Sequence, residues 1–212
     1  MITATLFTFL FLQTIAQEQA VPQLLIATPP AAQAQAAGTG IVILDAVITR
    51  EGRLMDVRVL QGTSAFIEPS LRVVRQWEFG PPETVGTLSR QVRISITFLY
   101  RERPILPQPT YEFSIGTAPA QGDHPPLPIT IVDPGYPASS IGRGAVIVQG
   151  RISAAGSVEG VTVVRPEPSL TDATVSAVQR WKFSPAMRDG MSASGSAIAV
   201  VIFQPPAFSN AR

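Results

Sequence analysis

Cysteine is absent from this chain of 212 residues, and histidine occurs once. The first absence removes disulfide frameworks, thiolate nucleophiles, thiolate metal sites and lipid-modified cysteines. The second removes zinc sites built from several histidines. Charge is scarce as well: 15% of residues are charged, 16 basic against 15 acidic. That balance lacks the clustered Lys/Arg excess of a nucleic-acid binder. Signatures of enzymes are missing too. Gly142-Arg143-Gly144 precedes a strand, whereas a phosphate-binding loop follows one and opens a helix. There is no Gly-x-Ser-x-Gly elbow, and Glu159 and Asp172 fall at turn and helix-start positions. The chain reads as non-enzymatic, with no cofactor, metal, nucleic acid or small-molecule substrate. A core is affordable, because 45% of the residues are hydrophobic and the net charge is only +1.

No stretch reaches membrane-spanning length. Thr5–Ala16, twelve apolar-rich residues, covers roughly 18 Å as a helix against a ~30 Å hydrocarbon core. Small residues at Ala16 and Ala20 follow it, so residues 1–20 are expected to be a secretory signal. Export to the periplasm is the consequence; an uncleaved N-terminus anchored in the inner membrane is the alternative. Residues 21–39 read as an Ala/Gln/Pro-rich linker without the patterning of a packed element.

Proline is abundant, at 20 residues, nine of which lie between Arg103 and Pro137. That tract separates two copies of one pattern. Shifted by 104 residues, GIVILDAVITREGRLMDVRVL aligns without a gap on GAVIVQGRISAAGSVEGVTVV. Gly40 meets Gly144, Gly52 meets Gly156, and the only two tryptophans, Trp77 and Trp181, coincide. Phe79 falls on Phe183 and Pro81 on Pro185; with one inserted residue, Phe98 falls on Phe203. The expected organisation is a module at 40–103, a Pro-rich linker at 104–132, a module at 133–206 and a tail at 207–212. Within the linker, Tyr111–Ile115 alternates and suits a short added strand. His124, in Asp123-His124-Pro125-Pro126, reads as a solvated loop residue.

Each module opens with two Val/Ile-rich strands around a glycine turn, Arg50-Glu51-Gly52-Arg53 or Ala154-Ala155-Gly156-Ser157. The apolar period then changes from two to about 3.6. Leu170, Ala173, Ala177 and Trp181 form one helical stripe; Ile67, Leu71, Val74 and Trp77 form the other. Ser169 with Asp172 resembles a capping box, and Arg180 and Lys182 suit the helix C-terminus. Pro69 restricts the first helix, which is expected to be the shorter, and Pro81 and Pro185 are expected to stop the helices. A third strand closes each module. The expected fold is α+β: two β-β-α-β modules, each a three-stranded antiparallel sheet with one helix, the tryptophans packed between them.

The second copy carries Tyr136-Pro137, a hairpin turning at Gly156, Leu170-Thr171-Asp172, then Trp181-Lys182-Phe183-Ser184-Pro185 and a closing strand through Phe203. This ensemble, about seventy residues, resembles the C-terminal domain of TonB-family energy transducers. The first copy, with Trp77 and Phe79 but no Tyr-Pro start, resembles a divergent member. The resemblance implies a periplasmic module that adds a strand of its sheet to an extended segment of an outer-membrane transporter in energy-coupled transport. Ser196, Ala197, Ile198, Ala199, Val200, Val201 and Ile202 suit that edge, being uncharged and β-prone. The alternative is that the same strand is already paired, by the other copy or by a second molecule in a homodimer, giving a non-transducing envelope scaffold.

Overall fold

A computed structural model describes residues 22–30, 38–82, 91–103, 110–116, 122–137, 140 and 143–204. The expected signal, the tail and parts of both linkers lie outside the described residues. A short strand β1 (Leu24–Ile26) precedes the first repeat, which runs β2 (Gly40–Ile48), β3 (Leu54–Gly62), α1 (Ser64–Val74), β4 (Glu78–Phe79) and β5 (Val92–Glu102). The connecting tract holds β6 (Glu112–Ser114) and β7 (Leu127–Val132). The second repeat runs β8 (Gly144–Ile152), β9 (Val158–Arg165), α2 (Thr171–Val178), β10 (Lys182–Ser184), a small hairpin β11 (Ala186–Arg188) and β12 (Met191–Ala193), and β13 (Gly195–Gln204).

The strand-strand-helix-strand order is as expected, but the sheets are not separate. All six long strands form one sheet in the order β3-β2-β5-β13-β8-β9. Within each repeat the pairing is antiparallel; the repeats join through β5 and β13, which run parallel, Ala197 opposite Ser95 through Gln204 opposite Glu102. A parallel pair needs a long crossover between its strands, and the second repeat supplies it. Because the joined strands are parallel and the strand order mirrors about them, the pseudo-twofold axis runs along the strands. It therefore exchanges the two faces of the sheet, and the helices lie on opposite faces.

Side-chain alternation records this. In β13, Ile198, Val200 and Ile202 join the cluster of α1's Phe66 and Val74, while Ala197, Ala199, Val201 and Phe203 join that of α2's Leu170, Ala177 and Val178. A strand buried on both faces has no polar side to present, which is the physical reason that GSAIAVVIFQ is apolar almost throughout. Trp77 and Trp181 are buried between helix and sheet, as expected. Gly52 and Gly156 turn their hairpins at φ +76° and +81°, and a Cβ at either would lie 2.0 Å from the carbonyl oxygen of Phe79 or Phe183. Only glycine meets both demands.

Several expectations are corrected. Residues 24–26, read as linker, form β1 against β4, and Trp77 Nε1 donates to Thr28 O at 2.9 Å. Part of the Pro-rich linker likewise forms β7 against β10, and Trp181 Nε1 donates to Val132 O at 2.9 Å. Tyr111–Ile115 does contain a strand, β6, paired with β7. His124 is buried: its backbone bridges Met187, and its Nδ1 lies 2.8 Å from Pro125 O. The α1 helix has 11 residues and α2 has 8, the reverse of the expected order, with Pro69 inside α1. Ser70 Oγ there donates to Phe66 O and lies 2.8 Å from the Tyr100 hydroxyl, tying the turn that follows Pro69 to β5. Both helices end at Val74 and Val178, before short strands, and well short of Pro81 and Pro185. No side chain caps α2 at its N-cap Leu170; Ser169 Oγ bonds Ser140 Oγ instead. Register also changes the repeat alignment: Gly40 faces Tyr100, and its counterpart Gly144 faces Phe203. Tyr100, not Phe98, is thus the partner of Phe203. A slip of two residues keeps the same face of a strand, so apolar pattern alone does not detect it.

Candidate functional site

Three stretches of backbone are eligible for pairing with another chain: the strand expected to bind, and the two rims. The structure places Ser196–Ile202 in the interior. β13 pairs with β8 on one side and β5 on the other, and every residue from Gly195 to Gln204 is buried. Its amides and carbonyls are committed on both sides, so it is not an edge. The alternative in which the other copy covers this strand describes the molecule. The expectation of an edge at Ser196–Ile202 fails for a topological reason: strand content was legible, but which strands neighbour one another across repeats was not.

The structural motif residues are spread over both repeats, with Trp77 and Phe79 in one core cluster and Trp181 and Phe183 in the other. Tyr136 is half-buried, with Phe203 set edge-on at 5.3 Å and the Arg103 guanidinium 5.5 Å from its ring centre. Burial pushes the Tyr136 hydroxyl pKa up, opposed by Arg103. Pro137 O accepts Ser140 N. Phe183 N donates to Gly156 O and Phe79 N to Gly52 O, so each hairpin turn is stitched to the strand after its helix. Pro185 follows β10, ahead of the small hairpin whose tip, Asp189-Gly190, has positive φ at both residues. In the first repeat, Phe66 stacks on Tyr100 at 4.1 Å, and burial raises the Tyr100 hydroxyl to about 12, against the lowering hydrogen bond from Ser70.

Two straps that the sequence reading missed hold the junction. Gln149, buried on the α1 face of β8, receives Leu24 N at its Oε1 (3.1 Å) and donates from Nε2 to Pro22 O (2.7 Å) and Ser196 Oγ (3.0 Å). The chain before the first repeat thus crosses onto the second. On the opposite face, Asp133 beyond β7 lies with Oδ2 3.1 Å from Arg101 Nε, both side chains buried, while Asp133 Oδ1 accepts Gly135 N. Arg93 pairs with Asp45 and donates to Asp123 O. The linker before the second repeat thus crosses onto the first. A signal for both straps was present: Thr28 and Pro30 stand 104 residues before Val132 and Pro134, extending the repeat past its apparent start.

The rims are β3 and β9, each with one strand neighbour among the described residues. Each carries two register irregularities, at corresponding places: near Met55 and Leu60 in β3, near Glu159 and Val164 in β9. Bulges twist an edge and limit its pairing. Between them, β3 reads Asp56-Val57-Arg58-Val59 and β9 reads Gly160-Val161-Thr162-Val163, the latter uncharged.

Among the described residues there is no group of three metal-ligating side chains, and no helix is long and apolar enough to cross a membrane. A sheet whose polar side chains hold its own straps, with backbone open at both rims, has the form of a protein-interaction module. The chain belongs to the family described as Gram-negative bacterial TonB protein C-terminal, whose pattern matches twice, at residues 29–101 and 134–204. Both repeats are therefore family modules, and the family is one of envelope protein-interaction domains associated with transport. A comparison with curated proteins finds no match.

Proposed function

We propose that this chain is a periplasmic TonB-like protein-binding module that pairs the outer edge of β9 with an extended segment of an outer-membrane transporter. The observation that supports it is the uncharged stretch Gly160–Val163 at a rim of the sheet. Strand addition draws its affinity from backbone groups and its selectivity from alternate side chains. β3 offers the same geometry but carries Asp56 and Arg58, and charge on an edge opposes apolar strand addition. The second reading, a non-transducing scaffold, is favoured by the parallel β5–β13 pairing, which occupies both third strands.

Capture of outer-membrane proteins by the immobilised chain tests the first reading. Val161→Pro and Thr162→Pro are compared, since along an edge strand successive amides alternate between the ladder and the open side. Loss of capture in the variant that keeps its native melting temperature supports pairing at β9. Capture unchanged in both variants, or absent in the parent, gives the scaffold reading.

A further inference from the structure

The two rims differ in how they would meet a copy of themselves. β3 exposes Met55, Val59 and Leu60 at 55%, 38% and 43%, whereas Val163 is the one large hydrophobic residue of β9 with comparable exposure. Asp56 and Arg58 share a face of β3 and close on each other, Nε to Oδ2 at 2.9 Å, in contact with water. The stretch from Met55 to Val59 is its own antiparallel complement. Rotating a second copy by a half-turn about Val57 sets Val57 against Val57, Asp56 against Arg58, Arg58 against Asp56, and Met55 against Val59. Opposite charges directly across a strand pair are favourable and like charges are not. Charge selects this register: centring the pair on Asp56 or on Arg58 sets two like charges face to face, and a one-residue slip in either direction leaves both charges opposite apolar side chains, valine or Met55. In β9 the charges, Glu159 and Arg165, fall at and beyond the irregularities that bound its regular stretch, so no comparable selection operates there.

We propose that β3 is a self-association edge, at which two copies of this chain join in an isologous antiparallel pair centred on Val57. The pair continues two six-stranded sheets into one, covers the exposed Met55 and Val59, and opens each Asp56–Arg58 contact into cross-strand ion pairs. It leaves both β9 rims free and does not depend on what they bind. A strand pair of this length covers less than the ~1,200 Å² of a standard interface, so the dimer is concentration-dependent.

Sedimentation equilibrium of the full chain tests it. A monomer–dimer equilibrium is expected, weakened at least tenfold by Arg58→Asp and restored when Asp56→Arg is added to that variant. Because the chain lacks cysteine, Val57→Cys supplies a second readout: oxidation should link it into a disulfide dimer, since Cα atoms across an antiparallel pair lie within bridging distance. Thr162→Cys, on β9, should stay monomeric. The proposal is overturned by a parent that sediments as a monomer up to ~1 mM, by an Arg58→Asp variant that associates like the parent, or by equal cross-linking at the two positions.

Discussion

The two repeats bury their helix-facing sides alike and their reverse sides differently. Behind the first repeat, on the face away from α1, lie Asp45, Ser95, Thr97 and Arg101, all buried and polar. Behind the second, the corresponding face of β8 and β13 offers Ala145, Ile147, Ile198, Val200 and Ile202, with Gln149 among them. The linker strap therefore meets the first repeat through charged groups: Arg101 pairs with Asp133, and Arg93, itself paired with Asp45 of the same repeat, donates to Asp123 O. The N-terminal strap meets the second through neutral hydrogen bonds at Gln149 and apolar contact at Leu24. Duplication made the scaffold; divergence was spent on the faces that each copy turns toward the strap of the other.

The sharpest way to break this account is to damage one copy and watch the other. Trp77→Ala and Trp181→Ala each remove a buried side chain and its hydrogen bond to a strap carbonyl, and each should cost about 3–5 kcal/mol. Since β5 and β13 share a ladder, either substitution should move one cooperative transition, reported identically by urea unfolding of the remaining tryptophan and by far-ultraviolet circular dichroism. Two separated transitions, with only the damaged copy shifted, would dismantle the continuous sheet.

The straps come next, and here the copies should differ. Arg101→Leu leaves the Asp133 carboxylate buried without its cation, a loss of about 3 kcal/mol at neutral pH. In the parent, burial already pushes Asp133 up, more than Gly135 N–H and Arg101 pull it down. A carboxyl raised in the folded state contributes stability that is fully present below its unfolded pKa, about 3.9, and lost as pH rises through the folded value. Removing Arg101 enlarges that shift, so the cost of Arg101→Leu should shrink as pH falls toward 3. Gln149→Leu strands Pro22 O and Leu24 N and should cost about 1–2 kcal/mol with no pH dependence of its own. Urea midpoints across pH 3–7 separate the two; parallel curves for both variants would mean that the ionic strap behaves as a neutral one.

What the sequence revealed follows from which interactions are local. Hairpins were legible because Gly52 and Gly156 sit between alternating runs, and helices because the apolar period changes at Ile67 and Leu170. The tryptophans were legible as core because they align in the repeat. The location of β13 was not, since its apolar run suits an edge meant for a partner as well as a strand buried on both faces. Nor were the straps, because Pro22–Thr28 and Leu127–Val132 gain their order from residues more than forty positions away. The open rims were hidden for the same reason: naming an edge requires knowing every neighbour.

The helix starts give the finest comparison, and they separate local motif from local structure. Ser169 and Asp172 have the spacing of a capping box, yet α2 begins under a different arrangement. Thr171 Oγ1 accepts Glu167 N and donates to Glu167 O, both at 2.8 Å, tying the first turn to the residues before it. In the first repeat Thr63, the N-cap of α1, makes no side-chain cap bond and instead accepts Ile41 N across the sheet at 3.3 Å. A hydroxyl holding two short backbone bonds should matter more than one holding a single long bond at the surface. Thr171→Val is expected to cost about 1 kcal/mol, and Thr63→Val and Ser169→Ala each less than about 0.5 kcal/mol. If Ser169→Ala instead equals or exceeds Thr171→Val in urea unfolding, the capping box forms in solution and the start of α2 follows its sequence motif after all.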